Sequence, residues 1–376
     1  MIRVLNIISD ADVGGAGRAL LNYLRYADRT RFETIVAVPR GSLLKPELEK
    51  LGVKACEVNG IADHSYDREE VAMLRRLIRK VKPDIVHTHG VFSGRVAGRR
   101  EGKAVFYTRY NLSRMPDYLR YPPGCWINKL ISEHYADGII AVSPAAAEEL
   151  TDVGISEDLI SVIMSGVAPA ARASLADCAI MRQRWGIRDG DFVMGMLTPI
   201  EEHQGHMYVL KAASQLKQTG RQFRLLVAGA GSYEPEVRAE VIRRGLEREV
   251  ILMGPQNDAA PILSILDVQL NAACDTGATS LSLLEGMSLG VPAIVSNYGG
   301  NPWIIEHGRT GLVFPNCDAS GLARTILRVM DDRALLRFMG ESAAKTYQTR
   351  FTGEIFARNI EQFYLDTLEE IGYERE

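Results

Sequence analysis

The chain has 376 residues, of which 46% are hydrophobic and 24% charged, and its formal net charge is -3. This length is typical of two domains, and this composition is typical of a globular protein rather than a disordered or fibrous one. The nearly neutral charge gives no reason to expect nucleic acid as a partner. No apolar run is long enough to cross a bilayer, and no signal-peptide pattern opens the chain, so we expect a cytoplasmic protein.

Strand and helix patterns alternate through the first half of the chain. A buried strand at 3–9 precedes Gly14-Gly15-Ala16-Gly17, and a helical pattern follows from Arg18 to Leu24. This order opens nucleotide-binding α/β domains, although these glycines miss the GxGxxG register and a plain tight turn is the alternative. Further predicted strands lie at 34–38, 53–58, 84–89, 104–108, 136–142 and 161–164, with predicted helices at 43–51, 69–81 and 143–150.

Histidines and cysteines are the candidate metal ligands. His87 and His89 end one predicted strand, and strand alternation places both on the same side. A metal site would need a third ligand, and none is evident, so we favour structural or substrate-contact roles. The five cysteines are scattered, odd in number and without zinc-binding spacing. We therefore predict reduced thiols and no metal.

Two basic runs, at 75–82 and 94–103, flank the strand that carries these histidines. Together they would suit an anionic surface and would place the protein peripherally at the inner face of a membrane. A solvated helix face is the alternative interpretation.

The second half restarts the α/β pattern after a predicted interdomain linker at 168–190. Glycines follow two of its predicted strands, and two αβ-rich halves with glycine loops at strand ends imply a ligand cleft between them. The predicted strands lie at 192–197, 222–227, 250–254 and 268–271, the predicted helices at 206–216, 233–244, 257–266 and 356–371, and a loop and turn at 306–315.

The stretch 279–296 combines a helix start rich in hydroxyl groups with a single acid. Thr279 and Ser280 precede an apolar helical run that carries Glu285, and Gly290 and Pro292 end this run before a short buried strand. The amides at a helix N-terminus attract anions, so this stretch is a candidate phosphate site.

Several motifs in this order resemble a known family. Glu285-Gly-Met-Ser-Leu-Gly-Val-Pro-Ala-Ile-Val295, Gly299-Gly300 and His307-Gly-Arg-Thr-Gly-Leu-Val313 are similar to the nucleotide-sugar half of the GT-B glycosyltransferases, closest to the retaining family 4 group. The resemblance implies an α/β fold of two Rossmann-like domains facing a central cleft. It implies an acceptor domain at 1–168, onto which a C-terminal helix at about 356–376 packs back, and a nucleotide-sugar domain at 185–355.

The family also implies an activity and a set of site residues. The activity is transfer of a sugar, without a cofactor or metal, from a nucleoside diphosphate sugar to a sugar, glycan or lipid-linked acceptor, as in cell-surface polysaccharide synthesis. Glu285 matches the residue that bonds the ribose, and Thr279, Ser280 and Leu281 fall where backbone amides meet the diphosphate. Further nucleotide-sugar positions are Gly229, Gly254 and Pro199, and the acceptor and phosphate loop positions are Gly14, Gly15 and His89.

The chain departs from the family pattern at positions that bear on catalysis. Pro199 and Gln204 stand where the family has an arginine and a lysine that grip the diphosphate, and Gly277 stands where it has a glutamate. Arg109 falls near a position where a histidine is common. We therefore take Gln204, Arg109 and Gly277 as the catalytic positions to test. Two hypotheses follow: an active transferase with a rearranged phosphate grip, or an impaired protein that serves as the partner or sugar-binding subunit of another glycosyltransferase.

Overall fold

The computed structural model describes residues 1–61, 66–110, 117–275 and 280–373. It separates into two compact units, the first formed by 1–167 together with 353–376 and the second by 168–352. Both are built from parallel strands with helical connections, which is the doubly wound α/β architecture predicted from the sequence. No helix in these described ranges is both long and apolar enough to span a membrane.

In the first unit, the described residues form one seven-stranded parallel sheet with the strand order β3-β2-β1-β4-β5-β6-β7. Its strands are β1 Ile2–Ile8, β2 Phe32–Pro39, β3 Lys54–Val58, β4 Ile85–His89, β5 Ala104–Arg109, β6 Gly138–Ala141 and β7 Ile160–Val162. Its helices are α1 Gly15–Tyr26, α2 Leu44–Lys50, α3 Arg68–Val81, α4 Phe92–Arg100, α5 Gly124–His134, α6 Pro144–Asp152 and, from the end of the chain, α15 Gly353–Glu370.

In the second unit, the described residues form a six-stranded parallel sheet with the strand order β10-β9-β8-β11-β12-β13. Its strands are β8 Phe192–Leu197, β9 Phe223–Ala228, β10 Val250–Gly254, β11 Val268–Asn271, β12 Ala293–Ser296 and β13 Gly311–Phe314. Its helices are α7 Leu175–Arg184, α8 His206–Gln218, α9 Glu234–Arg243, α10 Ala260–Leu263, α11 Leu281–Ser288, α12 Asn301–Ile304, α13 Ala319–Asp331 and α14 Arg333–Arg350.

The last helix, α15, belongs to the first unit. Tyr364 is fully buried in it, packs edge-on against Phe106 and hydrogen-bonds the ring of His87. Glu361 accepts a hydrogen bond from the backbone N–H of Asp28 at 2.8 Å. The core of the first unit is therefore completed by residues from the far end of the sequence.

The structure differs from two local predictions. The second unit begins at Ala168, at the start of the predicted interdomain linker 168–190, but this stretch contains α7, and Met181 and Trp185 pack against the core of the second unit. The stretch 306–315 is not only loop and turn, because β13 pairs in parallel with β12 and forms the edge of the sheet. Both segments are stabilised by contacts distant in sequence, which a local pattern does not record.

Part of the charge of the two basic runs is used inside the first unit. Arg75 and Arg79 both bond the carboxylate of Glu101, at 2.6 and 2.8 Å, and Arg99 bonds Asp137 at 2.7 Å. These pairs tie α3, α4 and the start of β6 together. They reduce the positive charge that the runs would offer to an anionic membrane, and membrane contact stays a prediction.

Candidate functional site

The strand order of each sheet defines where a ligand fits best. In the second unit the chain runs outward from β8 through β9 to β10 and then returns to the other side of β8 at β11. Loops that follow two such central strands diverge, and the crevice at their carboxyl ends is the usual ligand site of doubly wound sheets. This crevice of the second unit lies between the loop 198–205 and the loop 272–275.

The loop after β8 is held tightly against the glycine loop after β9. The amide of Ile200 donates to the carbonyl of Ala230, and the carbonyl of Ile200 accepts from the amide of Tyr233, both at 3.0 Å. The carboxylate of Glu201 accepts from both the backbone and the hydroxyl of Ser232, and these bonds lower the pKa of Glu201. The loop is thereby rigid at its first half.

Gly229 is required by this packing. Its φ is +152°, and a Cβ there would collide with the carbonyl oxygen of Thr198. Its amide donates to the carbonyl of Gly254 at the end of β10, at 3.0 Å. The structure thus brings Pro199, Gly229 and Gly254, all predicted as nucleotide-sugar positions, to the carboxyl ends of three adjacent strands.

The loop after β11 is fixed from both sides before it reaches α11. The amide of Cys274 donates to the carbonyl of His203 at 2.9 Å, and the side chain of Asn316 donates to the carbonyl of Cys274 at 3.1 Å. The hydroxyl of Ser296 donates to the carbonyl of Ala273 at 2.6 Å. Two predicted site residues come next in the chain, Gly277 and Thr279, and both lie outside the described residues.

Helix α11 begins at this crevice, with Ser280 at its N-cap position. The side chain of Ser280 does not cap the helix and lies 3.0 Å from the hydroxyl of Ser282, which in turn donates to the carbonyl of Leu197. The helix start is therefore anchored to the end of β8 by its second residue. Its first amides, from Leu281 onward, carry the partial positive charge of the helix dipole toward the crevice.

Glu285 lies four residues after Leu281, about 6 Å further along the helix axis. It is half-buried, and α11 is held on β11 by close contact at Gly286, where a Cβ would collide with the side-chain amide of Gln269. A carboxylate at this depth can accept hydrogen bonds from ligand hydroxyls, while the helix start faces an anion. The assignment of Glu285 to the ribose and of the helix start to the diphosphate stays a prediction.

The cation that would complete a diphosphate grip is absent from the loop 198–205. Pro199 is exposed, Gln204 is half-buried at the end of a short turn of 3-10 helix, and none of these eight described residues is lysine or arginine. The rearranged phosphate grip at this loop stays a prediction.

His206 is a buried residue that the sequence analysis missed. It is the first residue of α8, only 2% exposed, and neither ring nitrogen has a hydrogen-bond partner among the residues described. Burial lowers its pKa to about 4, against a smaller opposing effect of Glu201. His206 is therefore neutral at pH 7 and does not replace the missing cation. A polar residue at the first position of a helix after a glycine was the signal that could have identified it.

The remaining predicted residues lie in the first unit. Gly14 and Gly15 are exposed at the start of α1, and the carboxylate of Asp10 accepts the amide of Gly17 there at 2.9 Å. An anionic ligand at this helix start would have to displace that carboxylate. Arg109 ends β5, with its guanidinium 3.8 Å from the carboxylate of Glu149.

His89 is buried in the first unit, and both of its ring nitrogens are hydrogen-bonded there. Its Nε2 donates to the side-chain carbonyl of Asn6 at 2.9 Å, and its Nδ1 accepts from the hydroxyl of Tyr110 at 3.0 Å. Burial lowers its pKa to about 3 and that of the adjacent His87 well below the ordinary value. A ligand contact by His89 would require one of these bonds to break, so the geometry favours the structural role.

Comparisons with known proteins agree with this arrangement. The model of the group 1 glycosyl transferases matches residues 178–346, and that of glycosyltransferase family 4 matches residues 13–171. The putative glycosyltransferase EpsD of Bacillus subtilis is 26% identical over 79% of this chain and 80% of its own length. The Escherichia coli UDP-Gal:alpha-D-GlcNAc-diphosphoundecaprenol alpha-1,3-galactosyltransferase is 24% identical over 80% of each chain.

Among solved structures, Alr3699/HepE of Anabaena in complex with UDP-glucose is similar in fold. It superposes with a TM-score of 0.83 at 18% identity, over 97% of this chain and 100% of that one. The two parallel-sheet units and the two family models, which match successive halves of the sequence, show that the chain belongs to the GT-B group 1 glycosyltransferases.

Proposed function

We propose that this glycosyltransferase transfers a sugar from a nucleoside diphosphate sugar to a hydroxyl group of a glycan or lipid-linked acceptor, with retention of configuration. The observation that carries the proposal is the uncapped start of α11 at the crevice of the second sheet, with Glu285 one turn further along. The names of two relatives support an acceptor of this class: that of the Escherichia coli galactosyltransferase contains GlcNAc-diphosphoundecaprenol, and that of LpsE of Rhizobium meliloti contains lipopolysaccharide core biosynthesis.

The chemistry requires stabilisation of negative charge on the leaving group. The bond between the anomeric carbon and a phosphate oxygen breaks with its electron pair on the diphosphate. A new bond forms on the same face to the acceptor oxygen, whose proton passes to an oxygen of the departing diphosphate. Helix amides fixed near the developing charge stabilise the transition state without reorganising. The anchoring of Ser282 to Leu197 supplies that rigidity at α11.

We infer a uridine diphosphate donor, because the structural neighbour of similar fold binds UDP-glucose. We expect no metal, and in the described ranges no three or more His, Cys, Asp and Glu side chains are grouped as a metal site requires. In this proposal the helix dipole and backbone amides neutralise the diphosphate.

A second candidate function rests on the composition of the loop 198–205. Charge-assisted hydrogen bonds contribute about 1.5–3 kcal/mol each, so the absence of two cations would cost several orders of magnitude in rate unless another group compensates. In that case the chain would bind a nucleotide sugar weakly and serve as a subunit of a partner glycosyltransferase.

Calorimetric titration with UDP, GDP and ADP, followed by incubation with UDP-glucose, tests the proposal. We expect UDP to bind, and Glu285→Gln to weaken UDP binding about tenfold or more by removing a charged acceptor of ribose hydrogen bonds. Glu341→Gln, an exposed acid of α14, is the matched control and should bind UDP like the wild type.

The outcomes separate the two candidate functions. Release of free sugar whose first-formed anomer matches the donor supports retaining transfer. UDP binding without turnover favours the subunit hypothesis, and no binding of any nucleotide contradicts the proposed donor site.

A further inference from the structure

A second concave surface lies within the first unit, at the carboxyl ends of β4 and β5. It is an open groove of about 450 Å³, bordered by the start of α4 and by one face of α5. We call it the β4–β5 groove, and its polar lining is Thr88, Arg95, Tyr107, Thr108, Arg109, Asn128 and Ser132. Arg109, taken above as a catalytic position to test, lines this groove, and no role has been assigned to its other lining residues.

Arg95 is held rigidly in the groove by two aromatic rings. Its guanidinium carbon lies 4.5 Å from the ring centre of Phe92 and 4.2 Å from that of Tyr107. Such cation–π stacking fixes the plane of the guanidinium and leaves its edge to form hydrogen bonds. Arginine keeps its charge when buried, so this is a fixed positive charge in the groove.

One nitrogen of that guanidinium has no acceptor. Nη1 of Arg95 is shielded from solvent, and no described residue accepts a hydrogen bond from it. A shielded charged donor without an acceptor is unfavourable by itself, and it becomes favourable when an anion supplies the missing acceptor. The side chain is thus pre-organised for an anionic ligand.

The surroundings of Arg95 have the same electrostatic preference. Arg109 adds a second cation, partly balanced by Glu149 outside the groove at 3.8 Å, and no Asp or Glu is among the described lining residues. Gly90, Val91 and Phe92 place the start of α4 at the groove, so the positive end of its dipole also points there. Asn128, whose amide donates to the carbonyl of Val153, offers a neutral polar contact on the facing helix.

We propose that the β4–β5 groove binds an oxyanion of the acceptor, a phosphate or a carboxylate, through Arg95. The acceptor of this glycosyltransferase is then an anionic sugar or sugar derivative rather than a neutral one. This inference rests on the proposed function only in identifying the anionic ligand as the acceptor. The groove and the donor crevice belong to different units, so binding at each can be tested separately.

Calorimetry with three sugars tests the groove on the full chain. Glucose 6-phosphate and glucuronate carry the two kinds of oxyanion, and glucose is the neutral reference. The titrations are made with UDP at saturation, so that the phosphate cannot bind in the donor crevice. We expect at least one charged sugar to bind with millimolar or better affinity and at least tenfold more tightly than glucose; which of the two binds identifies the oxyanion.

Substitutions then locate the site. Arg95→Met keeps much of the apolar stem and should weaken binding of the charged sugar about tenfold or more, while UDP affinity stays unchanged. Arg100→Met, an exposed arginine of the same helix, is the matched control and should have no effect on either affinity. Asn128→Asp, which adds a negative charge to the groove at the cost of the amide hydrogen bond to Val153, should also weaken binding and covers the case in which Arg95→Met does not fold.

Two results would overturn the inference. One is equal binding of glucose and both charged sugars, or binding of none of them, by the wild type. The other is undiminished binding of the charged sugar by both Arg95→Met and Asn128→Asp. A chain that fails to bind UDP but loses the charged sugar on Arg95→Met would refute the donor site and leave the oxyanion site standing.

Discussion

Acid should destabilise the first unit through His89, and the size of the effect follows from its environment. The folded pKa of His89 is about 3, against an ordinary value of 6.5, because burial disfavours the charged ring. Below pH 6.5 the His89 ring therefore binds a proton in the unfolded chain, whereas in the folded chain it stays neutral down to about pH 3. The stability that the folded protein gains from a neutral His89 is therefore complete above pH 6.5. It is lost progressively as the pH falls from 6.5 to about 3.

At pH 5 this difference is worth about 2 kcal/mol, since each pH unit below 6.5 contributes about 1.4 kcal/mol until the folded form protonates. His87 changes stability in the same direction, because its pKa is also lowered by burial and by His89. A typical domain is stable by only about 5–15 kcal/mol, so a loss of this size is a large fraction of the total.

Urea unfolding at pH 7 and pH 5, read by pulsed hydrogen exchange of peptides from β4 and β5, measures this loss in the first unit alone. His89→Gln lowers stability at both pH values, but the loss between pH 7 and pH 5 should shrink by about 2 kcal/mol relative to wild type. The exposed His134→Gln is the matched control and should keep the wild-type pH dependence. If wild type and His89→Gln lose equal stability on acidification, His89 is protonated in the folded protein and the reasoning is wrong.

Three further predictions concern single side chains. Gly229→Ala should destabilise the second unit by about 2–4 kcal/mol, because its Cβ collides with a backbone carbonyl, whereas Gly220→Ala, with open space around it, should cost only about 1 kcal/mol in urea unfolding. Tyr364→Phe should cost the first unit about 1–3 kcal/mol, since a ring nitrogen of His87 loses its partner. UDP-glucose affinity should have the same pH dependence between pH 6 and 8 in wild type and His206→Gln, because a pKa of about 4 keeps that ring neutral.

Each of these has an outcome that would contradict it. Equal stabilities of Gly229→Ala and Gly220→Ala would mean that the two loops separate without cost. A Tyr364→Phe protein as stable as wild type would show that water or another group satisfies His87. A rise in donor affinity toward pH 6 that disappears in His206→Gln would identify that histidine as a cation for the diphosphate.

The order of elements could be predicted from the sequence because most of the information is local. Buried strands such as β1, β8 and β12 are mainly apolar, and each is followed by glycines or hydroxyl residues where the chain turns into a helix. The position of Glu285 in α11 follows from the same pattern. Edge strand β13 has four residues and is defined by pairing with β12, so a local pattern did not reveal it.

The groove residues could not be assigned from sequence for a physical reason. Phe92 and Arg95 are three apart and visibly share a helix face, but the second ring, Tyr107, comes from a strand whose neighbour is known only once the sheet is assembled. The burial of His206 depends similarly on packing around the start of α8. What the sequence predicts is therefore where loops converge, whereas the ionisation and rigidity of their side chains require the tertiary structure.

The return of α15 to the first unit has a consequence for biosynthesis. The ribosome makes 1–167 first, yet the helix that buries Tyr364 against His87 and Phe106 emerges only after the whole of 168–352. During that interval the first unit exposes an apolar surface that α15 will cover, while the second unit is continuous in sequence and can complete its core at once. Despite the order of synthesis, the second unit is thus the first that can reach its native fold, and a chain terminated before residue 353 would leave the first unit permanently open.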